Sequence, residues 1–166
     1  METKSVEKGK RINIGAGNLK YPDNTYRKLY YSLSALWLVL FVISVFKENN
    51  GLFQKLVMPA IYGINGAFFF FKAHFELSST SKYAPHFIIS ENGLKIKTGV
   101  FKNSEFIKWK DVKKVELGYY KIGIKDKTGL QFYPYKTRKE TSIQIKRAIE
   151  EIASQKEIEV ENLLKR

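Results

Sequence analysis

The chain has 166 residues, with 29 Lys and Arg against 16 Asp and Glu, and a formal net charge of +13. It contains no cysteine, which excludes disulfides, thiolate metal sites and thiol nucleophiles. Its mean hydropathy of -0.29 resembles that of a soluble protein only as an average, because charge is nearly absent from one long stretch and crowded elsewhere.

Residues 1–28 carry seven Lys and Arg against three acids and precede the first apolar run. No small-residue cleavage pattern follows that run, so it reads as a permanent anchor rather than a removable signal peptide. From Leu29 to Phe46 there is no acid or base over 18 positions. As a helix this stretch reaches roughly 27 Å, close to the thickness of a bilayer core. Its apolar residues occupy every side, and Arg27, Lys28, Tyr30 and Tyr31 stand at its start as expected at a headgroup boundary.

The second apolar run, Leu56 to Phe71, spans 16 residues between Lys55 and Lys72 and includes Pro59, Gly63, Asn65 and Gly66. Lysines at both ends can snorkel, which extends the span to about 52–73. Residues 47–51 supply a polar turn, so 29–75 is expected to form a two-helix transmembrane hairpin. Ser32 and Ser34 facing Gly63, Gly66 and Ala67 would allow close approach, with Asn65 bonding across the pair. Basic residues on both outer flanks predict cytoplasmic termini and a multi-pass protein of a bacterial inner membrane.

Residues 76–82 read as a linker around Ser78 to Ser81, and from Tyr83 the period changes to that of strands. Tyr83 to Ser90 and Leu94 to Thr98 form a hairpin about Glu91-Asn92-Gly93. Strands follow at Glu105 to Trp109, Lys113 to Leu117, Tyr120 to Lys125 and Leu130 to Tyr135. From about Lys139, the spacing of Ile145, Ala148, Ile149 and Ile152 predicts an amphipathic helix capped by Thr137 or Thr141, which the tail from Gln155 either continues or leaves frayed.

This order, with Ile88-Ile-Ser-Glu-Asn-Gly-Leu-Lys-Ile96 in the first hairpin and Ile107-Lys-Trp-Lys-Asp-Val-Lys-Lys-Val-Glu116 in the middle, resembles the bacterial pleckstrin-homology-like (PH-like) domains attached to membrane helices. The resemblance covers about 83–153. It implies an α+β chain: the hairpin, then an antiparallel sheet or open barrel over 83–166 with one C-terminal helix. Trp109, Val112 and Val115 would fill its core, closed at one end by Ile145, Ile149 and Ile152. The phosphoinositide site of eukaryotic relatives does not carry over, because Glu91-Asn92-Gly93 makes a tight, acidic turn where they have a roomy basic loop.

Between Lys95 and Arg147 stand 15 basic and five acidic residues. Lys95, Lys97, Lys108, Lys110, Lys113 and Lys114 are the candidates to face anionic phospholipid headgroups or an acidic protein partner. Tyr119, Tyr120, Tyr133 and Tyr135 are the candidate aromatic contacts. Nucleic acid is the weakest reading, since no nucleic-acid motif accompanies the charge, and association of copies of the chain stays open. No metal or cofactor pattern is present: His74 and His86 stand alone, and Gly15-Ala-Gly17 does not link a strand to a helix. Glu105, Asp111 and Glu116 lie among lysines, which suits ion pairing better than proton transfer, so no catalytic role is expected.

Overall fold

The computed structural model describes residues 9–15, 23–47, 51 and 53–163. Most of the basic N-terminal segment, residues 48–50 of the turn expected at 47–51, Leu52 and the last three residues lie outside the described residues. The chain divides into two compact units: a helical one within residues 20–82, and a sheet-containing one that combines the segment before it with everything from Tyr83 onward.

In the helical unit, α1 (Asp23–Phe46) begins six residues before the apolar run. The second helix is continuous from Phe53 to Glu76: α2 (Met58–Phe71) is extended at each end by a wider π-helical turn, Phe53–Val57 and Lys72–Glu76. Pro59 has no N–H to donate, and the helix passes it where the wider π-helical turn Phe53–Val57 gives way to α2. Partners run in opposite directions, Tyr30 against Phe69 and Trp37 against Tyr62, so the helices are antiparallel. Ser34 and Gly66 are both buried at the seam, where the serine hydroxyl donates to the Gly66 carbonyl at 2.9 Å. A Cβ at Gly66 would come into van der Waals contact with Leu38 and Trp37. Ser32 and Ala67 are exposed, and Asn65 donates to Ile61 of its own helix at 2.8 Å rather than across the pair. One turn back lies an unfilled carbonyl lone pair, which a short amide reaches more easily than the other helix.

The second unit holds two four-stranded sheets. The first has the order β1-β2-β3-β4 and is antiparallel throughout: β1 (Lys10–Asn13), β2 (His86–Ile89), β3 (Gly93–Lys97) and β4 (Glu105–Lys108). β1 comes from the segment ahead of the helices, so the whole helical unit is an insertion between two paired strands. A turn at Trp109–Asp111 then carries the chain to β5 (Lys114–Gly118), β6 (Lys121–Lys125) and β7 (Leu130–Pro134). After α3 (Lys139–Gln155) the chain reverses through Glu157, whose φ of 57° is left-handed, into β8 (Glu159–Asn162). β8 pairs parallel to β5, giving the order β7-β6-β5-β8. The tail therefore neither continues the helix nor frays through this stretch.

One core joins both sheets and the helix: Phe87, Leu94 and Ile96 from the first sheet, Val115, Leu117 and Ile122 from the second, and Ile145 and Ile149 from α3 are all fully buried. Trp109 and Val112 are buried with them and Ile152 partly so, as expected. The Trp109 indole N–H donates to the Ser90 carbonyl at 2.8 Å, tying the β4–β5 corner to the β2–β3 turn. A side chain at Gly93 in that turn would collide with the Ile107 carbonyl and the Phe106 ring. Neither expected threonine caps α3. Arg138 occupies the capping position without a side-chain bond, and Thr137 is buried one residue earlier.

Candidate interaction surface

Residues paired across neighbouring strands share a face of the sheet. The register thus gathers Arg11 and Asn13 (β1), His86 and Ile88 (β2), Lys95 and Lys97 (β3), and Phe106 and Lys108 (β4) on the side of the first sheet opposite the core residues. The strip carries four fixed cations and no acid.

Its inner members are not free charges. The Lys97 side chain, expected to point outward into solvent, is buried, and its ammonium donates to the Lys102 carbonyl. Burial pulls its pKa below the ordinary lysine value. His86 is 3% exposed, and its Nδ1–H donates to the Ala84 carbonyl at 2.7 Å. With Nδ1 so occupied, the Arg11 guanidinium 3.4 Å away is a positive neighbour rather than a hydrogen-bond donor to it. Burial lowers the His86 pKa; the bond to Ala84 opposes this, and the charges of Arg11, Lys95 and Lys97 reinforce it. The imidazole is therefore neutral at pH 7.

The remaining lysines separate. Lys95 and Lys108 are half-buried, and Lys110 and Lys113 are exposed at and just after the Trp109–Asp111 turn. Lys114, on the outer face of the second sheet, is held by two carboxylates of β8, Glu159 and Glu161, each at 2.9 Å. Hydrogen bonds to this pair raise its pKa. Lys114 is thus an internal clamp for the parallel strand, not a cation left over for a ligand. Because β8 went unrecognised in the sequence, so did its pairing.

The four tyrosines do not form one contact patch. Tyr133 and Tyr135 are buried. The Tyr133 hydroxyl donates to Glu105 at 2.7 Å, and that of Tyr135 meets the Ser142 hydroxyl at 2.9 Å. Burial raises the pKa of both. Tyr119 and Tyr120 form the β5–β6 connection, with Tyr120 left-handed at φ 54° and packed edge-on against Tyr135. Only Tyr119, 72% exposed, is broadly open to a partner. Period-two alternation in β7 carries the explanation: Tyr133 lies opposite the core residue Ile122, so it points inward.

The strip also has direction. Asn13 pairs with His86 and His86 with Lys97, so both connections to the helices leave from the Lys97 end of the first sheet. Lys108 pairs with Gly93, so Lys108 and the adjoining Lys110 stand at the opposite end. The two ends of a four-residue strand are about 10 Å apart.

Among the described residues no group of three His, Cys, Asp or Glu is placed to hold a metal ion. His74 lies on the helical unit, exposed, stacked on Phe70 and 3.2 Å from the Tyr31 hydroxyl. Glu105 is engaged by Tyr133. Asp126 is capped by Thr128 and Gly129, whose hydrogen bonds lower its pKa. Comparisons with protein-family models, with curated proteins and with solved structures give no match.

Proposed function

We propose that this chain is a membrane-tethered, PH-like interaction module, an accessory or regulatory subunit held at the cytoplasmic face of a bacterial inner membrane. One observation carries the reading: two long apolar helices, exposed along most of their length, are inserted between two strands of one sheet. Helices Asn24–Phe46 and Gln54–Glu76 are each 23 residues of sufficient apolarity to span a bilayer. Leu36, Val39, Val42, Ile43, Ile64 and Phe68 are all at least half exposed, which water would penalise and lipid would not. Because β1 and β2 pair, the chain must return to the side from which it left, as two crossings require. The basic residues flanking both helices favour the cytoplasmic side.

The PH-like part of the reading is supported by the order of elements: a four-stranded antiparallel sheet, three more antiparallel strands, then a helix packed into the shared core. β1 shifts the strand count. Glu91-Asn92-Gly93 is the second connection of the sheet, and the connection between its first two strands is the helical hairpin itself. In this reading the helical hairpin stands where headgroup-binding PH domains have their first loop. Lys95, Lys110 and Lys113 are the lysines best placed to meet an acidic partner. The alternative is a domain that binds anionic lipid without a protein partner.

The test uses the natural absence of cysteine. Full-length Lys108→Cys, produced in a bacterial host, is expected to stay with the membranes after alkaline washing and to react with an impermeant maleimide only after lysis. Reaction in intact cells would reverse the orientation, and release by the wash would remove the tether. Flotation of the hairpin-deleted domain with anionic but not neutral vesicles at low salt would favour the lipid alternative.

A further inference from the structure

The end of the first sheet from which the chain leaves for the helices carries a third segment. With Asn13, His86 and Lys97 side by side, the connection 98–104 between β3 and β4 emerges beside both connections to the hairpin. It forms a closed turn. The Lys102 N–H donates to the Gly99 carbonyl at 3.2 Å, and the Lys97 ammonium reaches back to the Lys102 carbonyl. This explains why Lys97 is buried: it secures the turn from below.

Val100 and Phe101 occupy the tip of this turn. Phe101 is 89% exposed, more than any other large hydrophobic side chain among the described residues, including those on the apolar helices. The segment Thr98-Gly-Val-Phe-Lys-Asn-Ser104 contains no acid, and Lys102 beside the tip is exposed. A pinned turn that holds a phenylalanine away from its own core, with a lysine next to it, matches the chemistry of a membrane interface. The ring enters the headgroup–acyl boundary while the ammonium meets anionic phosphates.

We propose that the Val100–Phe101 tip inserts into the interface of the bilayer that holds the hairpin, with Lys102 at its anionic headgroups. This rests on the membrane reading above. A single phenylalanine would not anchor a free domain, but the tether supplies a high effective concentration of bilayer at this end of the sheet. The contact fixes the domain's orientation as a third point beside its two covalent connections. It leaves the opposite end, where Lys110 is exposed, away from that contact.

Nitroxide labels on single cysteines of the full-length protein test this in nanodiscs containing phosphatidylglycerol. Accessibility is read with oxygen, which concentrates in lipid, and a water-soluble nickel chelate. The labelled positions are Val100→Cys at the tip, Lys108→Cys at the far end and Leu38→Cys in α1. The expected result is a tip label that is oxygen-rich and nickel-poor, a Lys108 label that is nickel-accessible, and a tip label shifted toward water when Phe101→Ser is added. A tip label as nickel-accessible as the Lys108 label, with the Leu38 label still in hydrocarbon, overturns the insertion and leaves the hairpin standing. A tip label shielded from both reagents overturns it in favour of protein contact. A nickel-accessible Leu38 label defeats the membrane reading itself, and the insertion with it.

Discussion

The helix pair and the sheet domain have opposite interiors. Between α1 and α2 the seam is made by a serine, glycines and aromatic rings, and the large aliphatic side chains face outward. In the sheet domain Phe87, Leu94, Ile96, Leu117 and Ile122 face inward and the lysines and glutamates outward. The contrast is the one that the proposed membrane span of the helix pair calls for. Water drives apolar groups together, whereas lipid leaves close backbone packing and polar bonds to join helices.

Removing the hairpin should produce the largest change. Replacing residues 16–83 by a two-residue turn is geometrically direct, because the Ile14 N–H already bonds to the Pro85 carbonyl at 3.1 Å. The expected product is a monomer in the soluble fraction by size-exclusion chromatography; retention with membranes would break the comparison. A chain truncated to begin at Lys82 would instead lack β1, whose Ile12 pairs with Phe87.

Within the sheet domain, Phe87→Ala should cost about 3–5 kcal/mol in denaturant unfolding of the detergent-solubilised full chain. Trp109→Phe keeps the packing but strands the Ser90 carbonyl, with an expected loss of about 1–3 kcal/mol by the same measurement. In the helix pair, Ser34→Ala should weaken association by about 0.6 kcal/mol, read from helix–helix energy transfer in micelles.

A pH scan sharpens the comparison further. The folded His86 pKa lies below its unfolded value, so the unfolded chain takes up the proton first as pH falls. Stability should therefore be unaffected above the ordinary histidine pKa of about 6.5 and decline progressively below it. His86→Gln should flatten that limb, as followed by thermal melts between neutral and mildly acidic pH.

Much of the architecture was legible from local pattern. The two charge-free runs, the turn at Glu91-Asn92-Gly93 and the helical spacing of Ile145, Ile149 and Ile152 are short-range signals, and each emerged near its expected place. The terminal strands did not stand out, although Ile12 and Ile14 alternate with polar residues around β1, as do Ile158 and Val160 around β8. A four-residue strand acquires its stability from a partner, and those partners are 73 and 45 residues away in sequence, as Asn13 with His86 and Lys114 with Glu159 show.

The sequence by itself determined where the two long apolar helices end and the charge-rich strands begin, because hydropathy and charge act residue by residue. Only the tertiary structure decided which charges are paired within the fold and from which end of the first sheet the chain leaves for the helices. Lys97 and Lys114 look like any outward lysine until the turn at Lys102 and the carboxylates of β8 are brought to them. Tyr133 and Tyr135 look like contact aromatics until the register turns them inward. Charge compensation and sidedness are properties of strand pairing, which unites segments that the chain order keeps apart.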